Sequence, residues 1–107
     1  MQNKLLLVLT TCPSKESATE LAKKLVEKKL AACVQISSPV TSIYQWEGEV
    51  CQELEYQLQI KCTKDSYPAL ESLIAQLHSY QVPEIIAIPI SHGLPEYLNW
   101  VDNMTQI

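Results

Sequence analysis

A seven-residue stretch, His78 to Glu84, carries the side chains of this sequence that could do chemistry. It places an imidazole, a phenol, a carboxylate and a rigid proline between a helical pattern and an apolar strand pattern. Loops held by regular elements on both sides commonly carry binding groups. Neutral imidazole binds copper, zinc and nickel, whereas carboxylates bind harder divalent ions. The stretch therefore predicts a binding site, or one wall of a site.

Three residues are candidates for holding a metal ion: His78, Glu84 and Cys12. Cys12 lies in a predicted turn and would complete the set if it folds back toward His78 of the same or a neighbouring subunit. The alternative for His78 is an imidazole that interacts with the last carbonyls of a helix. Cys33 and Cys62 are expected in the apolar core, because no C-x-x-C pair indicates a zinc or redox site.

A second interpretation of the same stretch is a pocket for a small ligand. Tyr80, Pro83 and Glu84 would form one wall, and Trp46 from a predicted hairpin would form another. Such a pocket would be mostly apolar with a few convergent polar groups, as small-ligand sites usually are. The alternative is that Trp46 and Tyr44 are anchors of a subunit interface, where large aromatic side chains also concentrate.

The composition limits the possible functions. The 107 residues are 47% hydrophobic and 19% charged, which predicts one globular domain spanning 1–107. Eight lysines, no arginine and a net charge of −4 argue against a nucleic-acid partner and against phosphate chemistry. No nucleophile motif indicates a hydrolase, so we expect a protein that is not an enzyme. No segment has the length of a membrane span, and no cleaved signal is evident, so we expect a cytoplasmic location.

The elements that must position these residues follow from hydrophobic periodicity. Apolar runs and alternating patterns predict four strands, and amphipathic stripes predict three helices, the first of them capped by Ser17 with Glu20. The predicted order is strand 4–11, helix 17–29, strand 31–46 bent near Pro39 and a returning strand alternating over 54–62. A helix from 65 or 66 that ends near 78 to 80, a strand 85–91 and a last helix from about 95 follow. This order predicts the ferredoxin-like βαββαβ fold, an α+β antiparallel sheet with an extra C-terminal helix.

Two helices cover only one face of such a sheet, and the middle hairpin is longer than the domain needs. Exposed strand edges and an uncovered face favour pairing with other copies of the chain. We therefore expect self-association into a small closed ring.

Several motifs together resemble those of the CutA divalent-cation tolerance proteins. They are Leu30-Ala31-Ala32-Cys33-Val34, Ser42-Ile43-Tyr44-x-Trp46-x-Gly48, Glu55-x-x-Leu58-x-Ile60-Lys61, His78-x-Tyr80-x-Val82-Pro83-Glu84-Ile85 and Tyr97-Leu98-x-Trp100. The resemblance covers essentially the whole chain in the right order. It implies a ferredoxin-like homotrimer, similar to the PII signalling proteins, that binds copper or another divalent cation. No organic cofactor is implied.

The resemblance also adds Glu55 and Lys61 as possible lining of a cleft between subunits, although solvated charge on a sheet face is the alternative. The copper-binding pattern of some members uses a cysteine and two adjacent histidines, and Thr10, Leu77 and His78 stand at these positions here. Of these three residues, only His78 has a side chain that commonly binds metal ions. The leading hypothesis is a trimeric divalent-metal (copper) binding protein in the response to metal ions. The alternative is a PII-like regulatory or interaction scaffold that binds a small ligand in inter-subunit clefts.

Overall fold

The computed structural model describes residues 4–105 and contains one four-stranded sheet and three helices in this range. The elements are β1 Leu5–Cys12, α1 Lys15–Glu27, β2 Cys33–Trp46, β3 Glu49–Thr63, α2 Tyr67–Leu77, β4 Ile86–Pro89 and α3 Pro95–Met104. The strand order is β2-β3-β1-β4, and each neighbouring pair is antiparallel. The predicted ferredoxin-like α+β fold is confirmed.

The main core lies between one face of the sheet and helices α1 and α2. Alternate residues of β1 and β3 point to this face, because side chains of a strand alternate between its two sides. Its fully buried members include Val8, Leu25, Leu58, Ile60, Leu70 and Ile74. None of the helices within residues 4–105 is long and apolar enough to cross a membrane.

Helix α3 covers one end of the opposite face, which the sequence pattern had left without a helix. There Leu5 and Ala32 pack against Val101, which is 1% exposed. Beyond α3 the same face stays open in the single chain, and Ile86 and Ile88 of β4 are 49% and 45% exposed. The uncovered part of the sheet is therefore smaller than predicted, but it is apolar.

The hairpin formed by β2 and β3 extends beyond the body of the molecule, whose longest dimension is 44 Å. The register of β2 against β3 shifts between Ile36 and Pro39, which confirms the predicted bend at the proline. Glu47 and Gly48 connect the strands with positive φ angles of 50° and 82°. Two such residues form the type I′ turn that suits the twist of a tight hairpin.

Several predicted boundaries are wrong. Helix α1 ends at Glu27 and not at 29, and β2 begins at Cys33 and not at 31. Helix α1 begins earlier than expected, because Ser14 is its N-cap and forms the capping box with Ser17. Strand β4 is shorter, since it pairs with β1 only over Ile86–Pro89. Cys12 lies at the end of strand β1, not in a turn, and is 3% exposed.

Candidate functional site

A cavity of about 670 Å³ lies between the hairpin and the loop that follows α2. We call it the cleft and define it by six of its lining residues, three aromatic and three acidic: Tyr44, Trp46, Glu53, Glu55, Tyr80 and Glu84. Its volume falls within the usual range of small-ligand pockets, roughly 300–1,000 Å³. The structure thus brings together Trp46, Glu55, Tyr80 and Glu84, four of the residues selected from the sequence.

The hairpin supplies its part of the cleft through strand geometry. Tyr44 and Trp46 are two residues apart on β2, and Glu53 and Glu55 are two residues apart on β3, so each pair points to one side. In the register, Ser42 pairs with Glu53, so the two strands present these side chains on a common face. This is the face that α1 and α2 do not cover. From the sequence, Tyr44 was considered only as an interface anchor, and Glu53 only as one of several hairpin carboxylates that could bind a cation or be solvated. The two-residue period contained the signal that both share this face.

Glu55 is the structural centre of the cleft wall. The Tyr80 hydroxyl donates to Glu55 Oε2 over 2.6 Å, and the Thr11 hydroxyl donates to the same oxygen over 3.3 Å. The side chain is only 6% exposed. The alternative of a solvated charge on an open sheet face is therefore wrong for Glu55, because the loop carrying Tyr80 folds over it.

His78 fastens the start of this loop to the sheet. Its Nε2 lies 2.6 Å from the Thr11 carbonyl oxygen, and the backbone N–H of Tyr80 donates to Nδ1 over 3.1 Å. Since Nδ1 accepts a hydrogen bond, the proton of the neutral ring belongs on Nε2, where it is donated to Thr11. Both ring nitrogens are engaged, so neither has a free lone pair for a metal ion in this arrangement.

The acidic surroundings act on the tyrosines of the cleft. Burial, the hydrogen bond to Glu55 and the negative charges of Glu55 and Glu53 raise the pKa of Tyr80. The hydrogen bond to Glu53 is the main cause that raises the pKa of Tyr44 to about 12. Both phenols therefore remain protonated hydrogen-bond donors at neutral pH.

The three predicted metal ligands do not converge. Cys12 and His78 line a second, smaller cavity of about 200 Å³, whereas Glu84 lines the cleft. Burial raises the pKa of the Cys12 thiol, which disfavours the thiolate that binds metals. Between residues 4 and 105, no group of three or more His, Cys, Asp or Glu side chains is placed to hold one metal ion.

Two residues predicted for the cleft lie elsewhere. Lys61 shares the face of Glu55 on β3 but is six residues away, about 20 Å along a strand, and it donates a hydrogen bond to Gln35. Pro83 is flanked by Val82 and Glu84, both of which line the cleft, but is not itself part of the lining. Cys33 is partly exposed, whereas Cys62 is fully buried as predicted.

Comparison with known proteins gives consistent results for sequence and structure. The family model described as CutA1 divalent ion tolerance protein matches residues 6–104. The divalent-cation tolerance protein CutA of Thermus thermophilus is 49% identical over 98 residues, which cover 92% of this chain and 95% of the relative. The mouse protein CutA is 42% identical over 96 residues, 90% of this chain but only 54% of the mouse protein.

Among solved structures, CutA1 of the psychrotrophic bacterium Shewanella sp. SIB1 superposes with a TM-score of 0.94. The two chains are 48% identical, and the match covers 98% of each. The similarity thus includes the hairpin and the loop that form the cleft, as well as the core.

Proposed function

The chain belongs to the CutA1 divalent ion tolerance family, and on that premise we propose that it acts in divalent cation tolerance as a non-enzymatic homotrimer that binds cations in the cleft. The observation that carries the proposal is the charge of the cleft. Glu53, Glu55 and Glu84 line it together, and no lysine or histidine is among its lining residues. A cavity lined by carboxylates without a countercharge favours cations.

The homotrimer is supported by the surface of the single chain. Apolar side chains are exposed along the hairpin, on β4 and on α3, including Ile43, Leu54, Ile86, Ile88, Tyr97 and Trp100. An exposed apolar surface of this extent is typical of interaction sites. Light scattering should give three times the chain mass of 12.1 kDa. A monomer at micromolar concentration would contradict this part of the proposal.

Copper binding by His78, Cys12 and Glu84 stays a prediction. The geometry supports this set of ligands less well than it supports cation binding in the cleft. Binding through His78 requires the ring to release either the Thr11 carbonyl or the Tyr80 amide. Glu84 lies in the other cavity. In the cleft, a divalent ion could remain partly hydrated and respond to the summed charge of separate carboxylates.

Calorimetric titration with copper(II) chloride and magnesium chloride tests the assignment. The double variant Glu53→Gln/Glu84→Gln should weaken binding of both ions, and Cys12→Ala, outside the cleft, should leave magnesium binding unchanged. If His78→Ala abolishes copper binding while the double variant does not affect either ion, the copper prediction is supported and the cleft assignment fails.

The PII-like regulatory role is the second candidate, and one contact favours it. Tyr80 donates a hydrogen bond to Glu55 in the cleft, and Val82, two residues further along the same loop, is 69% exposed. A ligand that displaces Tyr80 would therefore change a surface that a partner protein can read. Hydrogen exchange of 78–84 should then differ between the free protein and the protein saturated with magnesium chloride. Equal exchange would exclude this candidate.

We also propose a cytoplasmic location, supported by four cysteines that are all unpaired in the structure. Fractionation of the source cells tests it directly.

A further inference from the structure

The cleft combines two features that a bare metal ion would not use together. Its carboxylates belong to separate elements, Glu53 and Glu55 to β3 and Glu84 to the loop after α2. The aromatic side chains of Tyr44, Trp46 and Tyr80 line the same cavity. Aromatic faces attract organic ammonium groups, and the attraction is strongest where water is excluded.

One carboxylate oxygen at the cleft wall, Oε1 of Glu55, is neither hydrogen-bonded to the described residues nor fully enclosed by them. Glu55 is 6% exposed, and both of its hydrogen bonds, from Thr11 and Tyr80, go to Oε2. Within residues 4–105, no hydrogen bond is formed by Oε1. This oxygen is therefore open to a ligand that brings an N–H group, and a charged donor forms a strong hydrogen bond with a carboxylate.

The other carboxylates are also left without a cation. Among the described residues, an ion pair forms between Lys4 and Asp102. Neither of these two residues lines the cleft. Tyr44 donates a hydrogen bond to Glu53 but carries no charge. Three acidic groups therefore share one cavity with no positive partner.

A single metal ion cannot neutralise these groups by direct coordination. Calcium and magnesium require several oxygen ligands within about 2.0–2.6 Å of one point. No cluster of that kind exists among the described residues. Glu53 and Glu55 are separated by about 7 Å along the strand, so their charges are spread out. An elongated ligand with more than one positive group fits this distribution.

We propose that the cleft binds a small organic dication, an alkyl chain that carries two ammonium groups. One ammonium group contacts Glu55 and is enclosed by Tyr80, and the other contacts Glu84 near Trp46. The alkyl chain lies against the aromatic side chains. This inference rests on the proposed function, because it specifies the ligand class of the same cleft.

Calorimetric titration of the intact protein with 1,4-diaminobutane tests the proposal, with the neutral 1,4-butanediol as the matched ligand. The diamine should bind and the diol should not. Glu84→Gln should weaken diamine binding by about twofold to fivefold, the range expected for one partly exposed ion pair with an ammonium group. Glu47→Gln removes the same charge from the hairpin turn outside the cleft and should change the affinity less than twofold.

Trp46→Leu separates the aromatic contribution from the acidic one. It keeps all three carboxylates and should still weaken diamine binding. Equal heats from diamine and diol would overturn the proposal, and so would equal losses in Glu84→Gln and Glu47→Gln, which would indicate general attraction by net charge.

Lysine side chains of a second copy carry the same ammonium chemistry. If they fill the cleft, the diamine will not bind to the assembled protein but will bind once dilution separates the subunits, and this result too would overturn the proposal. Failure of the diamine while magnesium binding still depends on Glu84 would refute this inference alone. If neither the diamine nor copper(II) nor magnesium binds, the proposed function is refuted as well.

Discussion

At the scale of single residues, Thr10 and Thr11 show how neighbours on one strand can have opposite energetic roles. Thr10 faces the core, is fully buried, and its Oγ1 has no hydrogen-bond partner among the described residues. Thr11 faces the other side, and its hydroxyl donates to Glu55. An unpaired buried hydroxyl destabilises a fold, whereas a hydroxyl bonded to a carboxylate stabilises it.

We therefore predict that Thr10→Val and Thr11→Val change stability in opposite directions. Thr10→Val keeps the shape and removes the unpaired hydroxyl, so the free energy of unfolding should rise by about 1 kcal/mol. Thr11→Val should lower it by about 1 kcal/mol, because Glu55 loses a donor. Urea denaturation of both variants measures the effect, and a loss of stability in Thr10→Val would contradict the assignment.

The Tyr80 hydroxyl gives the fold a defined dependence on alkaline pH. Its pKa is raised above the ordinary value of 10.0, first by burial and then by the hydrogen bond to Glu55. A raised pKa means that the contribution to stability is complete below the unfolded value and is lost as the pH rises through the folded value.

Tyr80→Phe should therefore melt at a lower temperature than the wild type at pH 8, because Glu55 loses a donor. The difference in Tm between the two proteins should shrink above pH 10, where the unfolded tyrosine ionises and the folded one does not. Thermal melts at both pH values measure it. A difference that stays constant up to pH 11 would show that the contact with Glu55 does not control this titration.

The sequence indicated the chemical types of the site but not all of their roles. His78, Tyr80 and Glu84 stood out because polar groups between a helix and a strand usually belong to a loop. The burial of Glu55 could not be inferred, because it depends on a loop about 25 positions later folding back onto β3. The hydrogen bonds of His78 depend on the same fold and could not be foreseen.

At the scale of elements, the β2–β3 hairpin holds half of the cleft and depends on its turn. Gly48 has φ of 82°, a conformation that costs other L-residues about 1 kcal/mol or more. A Cβ at this position would meet no atom within 4 Å, so the backbone alone determines the cost.

Gly48→Ala should lower the free energy of unfolding by about 1 kcal/mol, and Gly48→Asn should lower it less, because asparagine tolerates positive φ. Sedimentation should show that Gly48→Ala weakens self-association before the core unfolds. If both variants melt at the same temperature as the wild type, the turn does not limit the hairpin.

Element order was predictable because each strand and helix has its own period, and the βαββαβ order leaves few topologies. The start of α1 was not predictable, because Ser14 and Ser17 can both cap a helix and the capping box uses both of them. The position of α3 was also not predictable. Its apolar stripe indicated that it packs, but the partner surface of Leu5 and Ala32 arises only when the sheet forms.

At the scale of the whole molecule, the single chain is too extended for its size. Its radius of gyration is 14.3 Å, whereas a compact domain of this length is expected near 13 Å. The difference reflects the hairpin that projects from the body. The open part of the sheet carries Ile86 and Ile88, both nearly half exposed. A trimer that buries this strip and the hairpins would remove the largest apolar surface from water.

This argument predicts that a charge on the open face prevents assembly. Ile88 pairs with Leu7 in the register and shares the face that α1 and α2 leave uncovered. Ile88→Lys should shift the mass measured by light scattering from three chains toward one, because a buried lysine without a partner is strongly unfavourable.

Val26 provides the matched control, since it is 43% exposed against 45% for Ile88 but lies on α1, on the opposite side of the sheet. Val26→Lys adds the same charge and should leave the trimer intact. If both variants lose the trimer, net charge and not the open face controls assembly. If neither does, the subunits meet through a surface other than this open face.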